Sequence, residues 1–436
     1  MILRCCLLVA SVAFFVAAPQ SSRAADWNWP RWRGPQQDGH TAETGLPKKW
    51  GDDSVTWKTP LKGVGQSSPV IWGERIFLTA ARKKGRERVV LCIDRNDGRI
   101  LWEKVAWTGD PEPVHRMNTH ASASCVTDGK RVYAFFGRGG GLFCYTVGGT
   151  RVWNRPLGKF AGPWGTAACP VLYGDLVIQN CDADEDAAIA AFNKTTGKQV
   201  WRAYSTGPDE DLLGKQVWRT KRDDFRGWST PILIKAGDRE ELVVNGHTGA
   251  RAYNPKTGKE LWFCKGYKGR GTPTVTPSKS GLLHVVDGRP GDTYAIVPGG
   301  NGDVSETHRK WQSKRIGGRD LPSPVAIGDF LLISSLRGGV VTCYDTKSGT
   351  IHWTQRLGGQ ISATPIAYEG LAAFLNESGE TYLIKPGPKP NVVARNRLTG
   401  KAREEFRASI TPSDGQLFFR STSTLYCIGK RKSANK

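Results

Sequence analysis

The sequence predicts an all-β chain closed on itself as an eight-bladed β-propeller of four-stranded antiparallel blades. Three observations carry that expectation: one hairpin repeated along the chain, a regular interval between tryptophans, and an unpaired strand near the front matched by a three-strand remnant at the back.

The hairpin reads Cys-Tyr-Asp-Thr-Lys-Ser-Gly-Thr-Ile-His-Trp at residues 343–353, with close copies at 92–102, 144–153, 191–201 and 252–262. In all five copies a glycine stands four residues before the tryptophan. A strand ends at the small residue, glycine supplies the positive φ of a tight turn, and a second strand carries the tryptophan. Trp57, Trp102, Trp153, Trp201, Trp262, Trp311 and Trp353 follow one another at intervals of 45, 51, 48, 61, 49 and 42 residues. Propeller repeats run to about 40–50 residues.

Along the chain, residues 1–24 read as a secretory leader: Arg4, then an apolar run too short to span a bilayer, then small residues at Ser22 and Ala24. The formal charge of +22 becomes +20 once Arg4 and Arg23 leave with it. An exported basic protein points away from nucleic acid and toward an acidic protein surface, anionic polysaccharide or lipid headgroups, or toward an evenly basic surface with no dedicated partner. Residues 25–54, rich in Trp, Pro and Gly, read as an ordered arm without regular structure. The run Val-Thr-Trp-Lys-Thr-Pro-Leu at 55–61 reads as an orphan exit strand.

The first full repeat then offers four short apolar strands, at 67–72, 75–79, 89–93 and 100–102. Later repeats open at Ser122, Ala167, Ser229, Thr272, Pro322 and Ser362, each with a Ser, Thr, Ala or Pro cluster. The fifth carries an insertion at 304–310, and the seventh lacks the tryptophan. The last has only three strands, ending at Ile428, so residues 55–61 are expected to complete it and remove the open edge. The propeller therefore spans 55–428, and a basic tail occupies 429–436. Of the eight cysteines beyond the leader, Cys92, Cys144, Cys343 and Cys427 share one strand position of different repeats and Cys125 and Cys169 share another, too far apart to bridge, which predicts mostly buried, free thiols.

The small-x-Asp/Asn-x-x-Thr/Ser-Gly-x-x-x-Trp hairpin resembles the tryptophan-docking motif of quinoprotein-type propellers. That group includes alcohol dehydrogenases that use pyrroloquinoline quinone (PQQ) and the propeller lipoprotein of the outer-membrane β-barrel assembly machinery. The arm sequence Trp-Pro-Arg-Trp-Arg-Gly-Pro at 29–35 and the closing Leu-Tyr-Cys-Ile at 425–428 look like exported PQQ-like repeat proteins of the planctomycete type. The motif builds blades and does not itself bind cofactor.

Specificity is therefore expected in the loops joining second to third strands and blade to blade, which share one face. Asp182, Asp184 and Asp186 stand at alternate positions and could present oxygens to Ca²⁺, although no EF-hand pattern follows; a solvated acidic loop is the other reading. His115, Asn118 and His120 could coordinate a metal or supply a base, or could fix a long loop by hydrogen bonding. Trp228, His247, Arg289, Arg319 and Arg337 fall in corresponding loops and suggest an anion-binding funnel. The long insertion at 205–227 could cap the channel or decorate the surface.

The resulting expectation is an exported, monomeric, non-catalytic binding or scaffold protein. It needs no cofactor and acts through its loop face on a protein or an anionic glycan. The other reading, implied by the resemblance, is a PQQ-dependent alcohol dehydrogenase with Ca²⁺. Against it, no adjacent cysteine pair occurs beyond the leader, and residues 55–428 are spent almost wholly on blades. No Gly-x-Ser-x-Gly elbow or His-Glu-x-x-His helix marks a hydrolase.

Overall fold

Apolar runs bounded by Gly, Pro, Asn and Asp become strands of two to nine residues, and each stretch of four folds back on itself as a meander. The computed structural model describes residues 27–158, 162–184, 187–204, 227–266, 269–288, 292–313, 322–402 and 404–432. The expected leader and residues 205–226 of the insertion lie outside them.

The described residues form eight sheets. In the first blade the order is Val70–Trp72, Arg75–Arg82, Glu87–Asp94 and Ile100–Thr108, from the channel outward. The same order recurs in blades opening at Val126, Val171, Ile232, Thr276, Val325 and Ile366. The eighth blade is composite: Thr411–Ser413, Gln416–Arg420 and Thr424–Ile428 come from the C-terminal end, and Val55–Pro60 pairs antiparallel outside them, with Trp57 opposite Cys427 and Thr59 opposite Leu425. The orphan strand thus completes the last blade, and the ring closes without a free radial end. Arg420, fully buried in blade 8, adds a second tie: its Nη1 donates to Ser67 O at 3.0 Å and its Nη2 to Thr79 O at 2.8 Å, both in blade 1.

The geometry accounts for each position of the repeated hairpin. The small residue lies directly across the ladder from the tryptophan: Cys92 pairs with Trp102, Cys144 with Trp153, Ala191 with Trp201 and Cys343 with Trp353, each followed by a register shift. A larger residue there would crowd the indole. The indole then reaches the next blade. Trp57 Nε1 donates to Arg95 O, Trp102 to Val147 O, Trp153 to Lys194 O, Trp201 to Pro255 O, Trp311 to Thr346 O and Trp353 to Gly387 O, at 2.9–3.1 Å. In all of these but Trp353 the ring lies against the glycine of that blade's own hairpin. At Gly197, where φ is +70°, a Cβ would stand 2.6 Å from the Trp153 ring, and at Gly258 one would stand 2.4 Å from Trp201. The glycine is required twice, by its backbone conformation and by its neighbour's indole.

One dock departs. Trp262 Nε1 donates instead to Glu241 Oε2 of its own blade at 2.8 Å, because the inserted hairpin of blade 5 lays Gly302–Asp303 parallel to Trp262 and Phe263. That makes a fifth strand on blade 4, and it shields an edge that is bare elsewhere. All eight described cysteines are free and buried. Burial pushes the Cys343 and Cys92 thiols up to about 12, so they remain small apolar fillers and not nucleophiles.

The N-terminal arm crosses the face opposite the loops and ties separate blades to one another. Trp29 exchanges backbone bonds with Ile71, and Pro30 O accepts from Thr127 N. Arg33, 2% exposed, donates to Thr276 Oγ1 at 3.1 Å and Pro324 O at 2.9 Å. Gln37 donates to Pro231 O, His40 bonds Ala326 O, and Asn396 holds Trp50 N. Blades 1, 2, 4, 5, 6 and 7 are all held this way. Burial lowers the Arg33 guanidinium to about 10, with Asp38 opposing, which leaves it charged at neutral pH.

The dock predicts a measurable coupling. Gly197→Ala should destabilise by about 2–5 kcal/mol, the left-handed conformation and the clash adding. Gly174→Ala, at φ +51° with open space around it, should cost only about 1–2 kcal/mol. In a Trp153→Ala background the excess at Gly197 should vanish. Denaturant midpoints across this double-mutant cycle would contradict the dock if both glycines responded alike.

Candidate functional site

The leading segment of each blade begins Ser, Thr or Cys, then commonly Pro, then an apolar run. This inner strand borders the channel and has no strand partner on that side, so proline's missing N–H sacrifices no ladder bond. The preceding side chain takes over the lateral connection. Ser68 N donates to Ser124 Oγ at 2.7 Å, Ser124 N to Cys169 Sγ at 3.2 Å and Cys169 N to Thr230 Oγ1 at 2.9 Å. Thr230 N donates to Thr274 Oγ1, Thr274 N to Ser323 Oγ and Ser323 N to Thr364 Oγ1, at 2.9–3.3 Å. Ser409 N donates back to Ser68 Oγ at 2.9 Å. Every blade contributes one member to this buried ring around the axis.

Two residues earlier in each segment, about 7 Å away in extended chain, a second tier faces the axis at the mouth. Its described members are Gln66, Ser122, Ala167, Trp228, Thr272, Ser362 and Arg407, all half-buried. Below the ring, Trp32 of the arm closes the channel, its Nε1 donating to Ser409 Oγ at 3.3 Å. The channel is therefore a blind funnel, open on the loop face and floored by an indole. The upper cavity measures about 220 Å³.

Loops between blades build the walls above the mouth. Asn118 ties two of them together: its Nδ2 donates to Trp164 O at 2.9 Å and Thr166 O at 3.3 Å, and its Oδ1 accepts from Thr119 N at 2.8 Å and from Ser122. His115 packs on Trp164 with ring centroids 5.0 Å apart, and the Arg270 guanidinium stands 4.0 Å from that indole centroid. Trp228 Nε1 donates to Gly165 O at 2.8 Å, which fixes its ring in the wall. Arg407 is held from behind by Glu377 Oε1 at 3.1 Å and Glu405 Oε2 at 2.8 Å. No carboxylate is among the described residues that line the upper cavity.

Of the residues singled out from sequence, His115, Asn118 and Trp228 meet in this cavity. His120 stands behind it, bonding Glu112 O at 2.8 Å, and His247 bonds Gly269 O of the loop that leads on to the next blade. Arg337 is exposed in the Arg337–Gly339 turn, away from the lining. Arg289, Arg319 and Asp186 lie outside the described residues. Asp182 is 2% exposed, and Asp184 borders a small adjoining recess with Glu112 and Arg138. Among the described residues no group of three His, Cys, Asp or Glu is placed to hold a metal ion.

Sequence reading passed over Gln66, Trp164, Arg270 and Arg407. Gln66 and Arg407 carried a signal: both stand two residues before a ring hydroxyl, the position Trp228 also occupies.

The profile of the family described as outer membrane protein assembly factor BamB matches residues 49–162, 122–262 and 280–421. A Paracoccus denitrificans protein named as a dehydrogenase, XoxF, is 21% identical over 381 residues, 82% of this chain; the chain spans 58% of that relative's length. Outer membrane protein assembly factor BamB of Burkholderia pseudomallei is 21% identical over 359 residues, 73% of this chain and 84% of its own. Among solved structures, BamB from Moraxella catarrhalis superposes with a TM-score of 0.59 at 15% identity, covering 86% of this chain and 98% of its own, a likeness of fold.

If Asn118 holds the two wall loops together, Asn118→Ala should release them locally. Backbone amides near Trp164 should exchange about 10-fold faster, while the global unfolding free energy changes by no more than about 2 kcal/mol. Hydrogen exchange that is unchanged near Trp164 would contradict that role.

Proposed function

The chain belongs to the family of the outer membrane protein assembly factor BamB, and from that premise we propose that it is a non-catalytic binding or scaffold propeller that takes its partner, a protein or an anionic glycan, at its loop face. One observation carries the reading: the described lining of the funnel combines indoles, an imidazole, guanidinium groups, amides and hydroxyls without a carboxylate, and Glu377, the acid that accepts from the lining hydroxyl of Ser362 at 2.7 Å, is at the same time ion-paired with Arg407. Such a surface supports recognition. The backbone economy agrees, since the arm, the ring and the docks use most buried polar groups to hold blades together. Residues 1–24 are read as an export signal that would deliver the chain to the envelope, where a net charge of +20 without the leader favours acidic partners. Among the described residues no helix is long and apolar enough to cross a membrane.

The second reading is a PQQ-dependent dehydrogenase, to which the XoxF relative lends support. The funnel offers Trp164 and Trp228 as flat walls and Arg270 and Arg407 as cations, a fit for a planar polyanionic quinone. Its calcium finds no fit among the described residues, because a hard cation takes six to eight oxygen ligands and the described lining supplies amides and hydroxyls without a carboxylate.

Two experiments separate the readings. Absorbance titration with PQQ and Ca²⁺ should show no calcium-dependent saturation and no dye-linked alcohol oxidation; saturable, calcium-dependent binding with turnover would overturn the binding reading. A photoreactive crosslinker placed at Arg337 on the loop face should capture one defined envelope component, and the same group at Lys259 in a hairpin on the opposite face should not. Equal capture from both faces would count against a dedicated loop face.

A further inference from the structure

We propose that the funnel receives the terminal residue of an acidic glycan, a sugar end that carries a carboxylate or sulfate, with the acidic group directed down the propeller axis. This rests on the loop face being a binding face and names what occupies it.

The shape selects an end. Trp32 closes the channel below the hydroxyl ring, so nothing threads through, and a protein surface or the middle of a polymer cannot descend past the mouth tier. The upper cavity of about 220 Å³ is smaller than the ~300–1,000 Å³ typical of drug-sized ligands, which restricts the occupant to about one ring.

The chemistry selects an acceptor-rich anion. A serine or threonine hydroxyl has one donor hydrogen and two lone pairs. In the ring, the side-chain oxygens of Ser68, Ser124, Thr230, Ser323 and Thr364 each accept a neighbouring backbone N–H. None of these five hydroxyls has an acceptor for its own hydrogen among the described residues, and all five residues are more than nine-tenths buried. The fold thus leaves a crown of donor hydrogens around the axis, at a depth where an unmet donor is costly. Neutral hydroxyl donors converging from all sides suit an oxyanion, and they recognise it without a metal.

The mouth adds two guanidinium groups. Arg407 is pinned from behind by Glu377 and Glu405, so its planar fork is preorganised. Arg270 is steadied over Trp164. Carboxylates stand behind Arg407 and are absent from the described lining, so they orient its donor fork while offsetting its charge, and Arg270 supplies the positive charge at the mouth. Gln66, Ser122 and Thr272 complete a mouth rich in hydrogen-bonding groups, and the half-buried Trp228 offers an apolar platform for the C–H face of a sugar ring.

The test is isothermal titration of the full chain with oligogalacturonate, with a neutral β-glucan oligomer of the same length, and with an acidic peptide bearing a free C-terminal carboxylate. Oligogalacturonate should saturate at one site, with affinity at least 10-fold above the neutral oligomer and weakening as salt rises. Trp228→Ala and Arg270→Met should each reduce it at least 10-fold. Ser124→Ala with Thr230→Ala, deeper in the ring, should reduce it too, and an unchanged denaturant midpoint in the mouth variants keeps folding out of the comparison. Equal affinity for acidic and neutral oligomers, or binding of the peptide alone, would overturn the acidic-sugar assignment. Oligogalacturonate binding that these variants leave intact would overturn the funnel as its seat. If saccharide binding fails while loop-face crosslinking at Arg337 still captures its partner, this inference falls and the binding reading stands; if both fail, both fall.

Discussion

The dock between one blade's tryptophan and the next blade's glycine is the constraint on which the structure depends. It joins a directional bond, indole N–H to turn carbonyl, with a contact that leaves no room for a Cβ. Each dock fixes the angle between neighbouring blades, and eight similar angles must sum to a closed circle. Closure then forces the last three strands to find Val55–Pro60, and it brings the inner strands close enough for backbone amides to reach a side-chain hydroxyl or thiol across every interface that the ring spans.

From that closure follows the division of labour between the two faces. Hairpin turns and the arm occupy one face, where Arg33, Gln37 and His40 bond blades far apart in sequence and Trp32 blocks the axis. The opposite face is left to the loops. A propeller stapled beneath and open above holds its mouth at fixed diameter, so recognition there starts from preorganised groups and not from loops that must be ordered on binding. In this chain Trp228 and Arg407 stand on the segments that lead into inner strands, held by Gly165 O and by Glu377 and Glu405, while Trp164 and Arg270 stand on loops and brace each other.

Blade count, strand order and closure were legible in the sequence because each rests on a local rule that repeats. Gly349 before Trp353 means the same thing as Gly98 before Trp102, and an orphan strand at Trp57 needs a three-strand partner. The funnel was only half legible. His115, Asn118 and Trp228 were found from their loops, yet His247 and Arg337, in comparable loops, point elsewhere, since position within a loop does not fix where a side chain goes. Arg407 and Gln66 were missed because the periodic position they share is filled by Gln, Ser, Ala, Trp, Thr and Arg in different blades; the geometry is conserved from blade to blade while the chemistry is not. The parallel strand at Gly302–Asp303 was invisible for a related reason: an insertion's destination depends on the neighbouring blade it covers.

The central claim is that this fold encloses one recognition site at the open end of its axis. The most direct measurement is the shift of indole N–H resonances on titration with oligogalacturonate. The account predicts saturable movement of the Trp228 and Trp164 signals, with the docked Trp57, Trp102 and Trp153 signals unmoved. Movement confined to the docked indoles, or no movement at saturating ligand, would contradict it.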